Sequence, residues 1–93
     1  MPRERKILDR LARVADLQDE PFPGQPIVEV VGTARVLIEN HKGVLEYGDS
    51  AVRIRMKYGS LCILGSNLEF ARMTKQQLVV VGCIEKVQLE RGL

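Results

Sequence analysis

His41 is the one imidazole of the chain, and Cys62 and Cys83 are its only thiols. Structural zinc takes four Cys or His ligands, usually with two of them a few residues apart. No such pair exists here, so no metal is expected. Ser50, Ser60 and Ser66 fall in turn-like strings, where Ser serves local hydrogen bonding, and none has a base beside it. The acids Glu29, Glu39, Glu46, Glu69, Glu85 and Glu90 are scattered through strand-like stretches and read as solvated charge rather than as paired acid and base. No glycine-rich phosphate loop is present. The expectation is a protein with no catalytic residues and no cofactor. The two cysteines sit in the apolar strings Leu61-Cys62-Ile63 and Gly82-Cys83-Ile84, with no export signal, and are expected to be reduced and buried.

Two constellations stand out. The first is a basic strip, Arg53, Arg55 and Lys57, in which cations alternate with apolar residues. Three cations on one strand face could track phosphates. Single-strand readers add exposed aromatic platforms, however, and Tyr58 falls on the apolar parity. Solvation, or pairing with Glu46 or Glu69, is the preferred reading. The second is Glu39-Asn40-His41-Lys42-Gly43, four polar side chains gathered at one strand end and closed by glycine. Its plain reading is a hairpin turn. Its functional reading is an interaction site.

These residues need elements to hold them. Ninety-three residues make one small domain. With 45% hydrophobic but only 4% aromatic residues, the core must rest on Val, Ile and Leu. A net charge of +2 is too small to argue for nucleic acid or an anionic membrane as main partner. No apolar run approaches the roughly 18 residues of a membrane span. A chain this short has little left over for a shaped pocket.

Residues 1–20 read as an amphipathic helical arm, with Ile7, Leu8 and Leu11, joined by Ala12 and Ala15, forming a stripe suited to docking on the body, on a second copy or, less readily, in a membrane interface. Pro21, Pro23 and Pro26 make 21–26 a linker. From Ile27 the period changes to two, most regularly in Val52, Ile54, Met56 and Tyr58 against Arg53, Arg55 and Lys57. Strands are expected at 27–32, 34–39, 43–47, 51–58, 61–64, 68–71, 78–84 and 86–91, with Gly65-Ser66-Asn67 as one of the turns between them. The expected fold is therefore mainly β: a small antiparallel sandwich or roll of about six to eight short strands over 27–93, behind one helix. A short β-solenoid is the alternative, because apolar pairs recur along the chain. The uncharged run Leu78 to Ile84 should be central or buried in an interface, and with the arm it argues for a homo-oligomer or an obligate complex.

The run from Leu37 through His41 to Tyr47, then Ile54 and Met56, then Gly59 through Leu61, Ile63 and Gly65, then Leu78, Val80, Gly82 and Ile84 resembles the YabP/YqfC family of sporulation proteins, most closely the YqfC branch. The resemblance spans about 27–90. It implies a non-catalytic protein made in the mother cell during endospore formation, cytoplasmic or peripheral at a membrane, with a YqfD-like membrane protein as a candidate partner. The function expected is an assembly or partner-binding module. The alternative is a small β-barrel that binds single-stranded nucleic acid through Arg53, Arg55 and Lys57.

Overall fold

The computed structural model describes residues 24–92. They form six strands: β1 (Ile27–Val31), β2 (Arg35–Glu39), β3 (Gly43–Tyr47), β4 (Ala51–Met56), β5 (Gly59–Met73) and β6 (Gln77–Arg91). All belong to one sheet in the order β1-β2-β6-β5-β4-β3. Every neighbouring pair is antiparallel, which excludes the stacked parallel rungs of a solenoid. The arm residues Ile7, Leu8 and Leu11, and residues 21–23 of the proline-rich segment, lie outside the described residues.

Alternation decides which face of each strand is buried. In β4, Val52, Ile54 and Met56 are buried while Arg53 and Arg55 are exposed. In β2, Val36 and Ile38 are fully buried. These positions join Leu61, Ile63 and Leu68 of β5 and Leu78, Val80 and Ile84 of β6 in one cluster. Each fully buried aliphatic side chain contributes about 1.5–3 kcal/mol relative to exposure. The core is aliphatic, as the composition requires.

The chain does not divide into short strands where its turn chemistry suggests. The segments 61–64 and 68–71 are two halves of β5, and 78–84 with 86–91 make up β6. Gly65-Ser66-Asn67 is not a turn but part of an irregular stretch between Leu64 and Glu69, where the β5–β6 register shifts. Asn67 takes a left-handed conformation there, with φ 54°. Opposite, Gly82 has φ 139°, and a Cβ on it would lie 2.5 Å from the Asn67 carbonyl oxygen. Only glycine accepts both that conformation and that approach. Bulges bend the strand that carries them.

The bend lets one sheet cover its own face. β4 pairs only with the first half of β5, and β2 pairs only with the first half of β6. Val36 and Ile38 therefore stand on one leaf, and Val52 and Ile54 on the other, yet all four share the cluster. Tyr47 of β3 stacks on Phe70 of β5, beyond the bulges, with ring centroids 4.8 Å apart and planes 22° from parallel. Backbone bonds hold the hinge: Gly65 and Leu68 donate to the carbonyls of Ser50 and Asp49, and Gly82 and Ile84 donate to those of Ala34 and Thr33.

The run Leu78 to Ile84 is central in the sheet, between β2 and β5. Leu78, Val80 and Ile84 face the core, whereas Cys83 is exposed. The expectation of two buried thiols thus holds for Cys62 and fails for Cys83. Alternation carries Cys83 to the opposite face from its neighbour Ile84.

Candidate functional site

The polar string Glu39 to Gly43 is not a hairpin. β2 and β3 do not pair; they lie at different places in the sheet, and residues 40–42 arch from one leaf to the other. An arch has no ladder to satisfy its backbone, so side chains and turn carbonyls must serve. Asn40 adopts a left-handed conformation, φ 62°, which Asn tolerates better than most residues. Its N–H donates to the Gln76 carbonyl at 2.6 Å, and its Nδ2 donates to the Gln25 carbonyl at 2.6 Å. Gln77 Nε2 donates to Glu39 Oε1 at 3.4 Å.

His41 is the pin of this arch. The Gly43 N–H donates to His41 Nδ1 at 3.0 Å. Nδ1 is therefore the acceptor, the proton sits on Nε2, and Nε2 donates to the Thr74 carbonyl 3.0 Å away. Thr74 is itself fixed, since its Oγ1 accepts from the Gln77 N–H at 2.9 Å. The ring thus joins the arch to the tip of the β5–β6 hairpin. Glu39, Asn40, His41 and Gly43 all spend polar atoms inside the fold. The Lys42 N–H donates to the Arg55 carbonyl at 2.8 Å, and the Lys42 side chain is exposed.

The basic strip is split. Arg53 lies 3.7 Å from Glu90 Oε1, which also accepts from Ser60 Oγ at 3.0 Å. Glu46 stands in register with Arg53 but makes no bond to it among the described residues, and Glu69 is in register with Val81 on the other leaf. Arg55 and Lys57 instead line an open cleft of about 700 Å³ together with Lys42 and Arg91. Tyr58 borders it, but the Tyr58 hydroxyl is buried without a hydrogen-bond partner among the described residues. Burial raises the pKa of that phenol above its ordinary 10.0. Tyr58 is thus no stacking platform of the kind single-strand readers use. Among the described residues no three His, Cys, Asp or Glu side chains are grouped as metal ligands, and no helix is long and apolar enough to cross a membrane.

Spacing could not have revealed Thr74, Gln25 or Arg91 as partners of these residues. Thr74 and Gln25 act through backbone carbonyls, which carry no residue signature, and Arg91 joins the cleft only because β6 runs back to the β4–β5 turn.

The YabP family model matches residues 24–92, the whole of the described sheet. Over 86 residues the chain is 26% identical to the "Uncharacterized protein YqfC" of Bacillus subtilis (strain 168), covering 92% of each chain. No solved structure matches.

Proposed function

The chain belongs to the YabP family, and from that premise we propose that it is a non-catalytic assembly module of endospore formation, working in the mother cell as a small β-roll that captures a protein partner or further copies of itself. The observation that carries this reading is the pair of sheet edges. Among the described residues, β1 and β3 end the sheet. β1 exposes Ile27, Val30 and Val31, and β3 exposes Val44, Leu45 and Tyr47. An edge strand with bare backbone groups and apolar side chains is a template for another strand. The family resemblance supports sporulation as the setting and a YqfD-like membrane protein as a partner to try first.

The test compares the wild-type chain with Val31→Lys on β1 and Leu45→Lys on β3, each of which sets a charge on an edge strand. Sedimentation equilibrium reads self-association, and capture of a YqfD-like protein from sporulating cells reads partner binding, each with residues 1–20 present and deleted. The proposal expects at least one association, weakened by one of the two substitutions. A monomer that captures no YqfD-like protein, or an association indifferent to both edges, overturns it.

A further inference from the structure

Four cations reach one end of the molecule from four separate elements. Lys42 comes from the arch, Arg55 from β4, Lys57 from the β4–β5 turn and Arg91 from the end of β6, and all line the same cleft. Backbone bonds fix the segments that carry them. The Lys42 N–H donates to the Arg55 carbonyl, which fixes the first pair. The Gly92 N–H donates to the Tyr58 carbonyl at 2.8 Å, which holds the end of β6, with Arg91, against the β4–β5 turn that carries Lys57. That second approach needs Gly59, because a Cβ there would run into the Glu90 carbonyl oxygen and the Gly92 nitrogen.

Like charges gathered on a fixed backbone repel one another unless an anion stands between them. Among the described residues none of the four has an ion-pair partner. Glu90, the one carboxylate among the described residues that line the cleft, is taken by Arg53 and Ser60. The four cations line one cleft at the end of the sheet instead of tracking along a single strand face, and among the described residues no exposed aromatic ring lines it with them. That arrangement suits a compact multivalent anion better than a polynucleotide strand.

We propose that the cleft lined by Lys42, Arg55, Lys57 and Arg91 binds a compact phosphate-bearing group, presented by a free small molecule or by a phospholipid head. Arginine supplies paired donors to phosphate oxygens, and lysine supplies point charge.

The test uses the full chain and three probes: inorganic pyrophosphate, vesicles of phosphatidylglycerol with phosphatidylcholine, and a short oligothymidylate. Arg55→Gln with Lys57→Gln removes two charges from the cleft. Arg35→Gln with Arg72→Gln removes two charges from the other leaf. Urea melts establish that both variants fold. The proposal expects wild-type binding to pyrophosphate or to the anionic vesicles, weakened about tenfold or more by the cleft pair and less than about twofold by the distant pair. Binding of pyrophosphate alone identifies a free ligand, and vesicle binding identifies a lipid head. Equal loss in both variants, tighter binding of oligothymidylate than of either phosphate probe, or no binding of pyrophosphate or vesicles would each overturn it.

Discussion

Replacing His41 by alanine removes both bonds that pin the arch: the one its Nδ1 accepts from the Gly43 N–H and the one its Nε2 donates to the Thr74 carbonyl. A net intramolecular hydrogen bond is worth about 0.5–1.5 kcal/mol. The ring is half-buried and Gly43 is half-buried, so water reaches the groups left behind and the full penalty of an orphaned buried donor does not apply. The expected loss is therefore about 1–2 kcal/mol, or a midpoint lowered by roughly 5–15 °C in a domain of this size. His41→Asn separates the two bonds. Asparagine Oδ1 can accept from the N–H two residues on, as in an Asx turn, but cannot span to Thr74. It should recover about half of the loss. Urea melts followed by far-ultraviolet circular dichroism measure both variants, and an unchanged slope establishes that the midpoint reports stability. If His41→Ala stays within about 0.5 kcal/mol of wild type, the ring holds nothing, and His41 returns to the list of side chains available to a partner.

Other consequences are as direct. Gly82→Ala places a Cβ against the Asn67 carbonyl in a conformation that favours glycine and should cost more than about 2 kcal/mol in a thermal melt; a neutral result would mean that the hinge is soft. In a native thiol titration Cys83 should react rapidly and Cys62 only after denaturant is added, since one is exposed and the other buried; two fast thiols or none would contradict the face assignment. Tyr58→Phe removes a buried hydroxyl that has no partner among the described residues and should leave stability at pH 7 unchanged or higher by up to about 1 kcal/mol. Because the folded-state pKa of Tyr58 is raised, the unfolded chain ionises first above about pH 10, and stability falls as pH rises through the folded value. Tyr58→Phe should lack that part of the alkaline fall, and parallel pH profiles for the two proteins would refute the burial.

Legibility in the sequence followed the length scale of each contact. β4 was plain because five alternating residues from Val52 to Met56 report one buried face. The antiparallel arrangement was plain because no crossover helix separates the strands. Gly65-Ser66-Asn67 misled because a bulge and a turn use the same residues; only Gly82 on the opposite strand distinguishes them. Cys83 misled because the run from Leu78 to Ile84 is apolar on both parities, so composition hides which face is inside. The arch at Asn40 to Lys42 resembled a hairpin because its residues suit one, and its true partners, Gln25, Thr74, Gln76 and Arg55, lie elsewhere in the chain.

The connectivity of the sheet also fixes an order of assembly. From β3 onward each strand pairs with the next, and the β5–β6 register begins at Met73 with Leu78 beside the turn and ends at Gly59 with Arg91. These pairings zip outward from turns, with little loop to close at each step. β1 and β2 form a hairpin of their own. Only the union of β2 with β6 joins strands that do not follow one another in the chain, from Arg35 with Val81 to Glu39 with Gln77. Docking of that hairpin should be the slow step of folding, and it is the step that seals Val36 and Ile38 against Leu78 and Val80. Until it occurs, the central strand of the finished sheet is an open edge, uncharged from Leu78 to Ile84, and a second chain in the same state offers the β1–β2 hairpin that fits it. Refolding at high concentration should therefore yield exchanged dimers, while dilute refolding yields the closed chain.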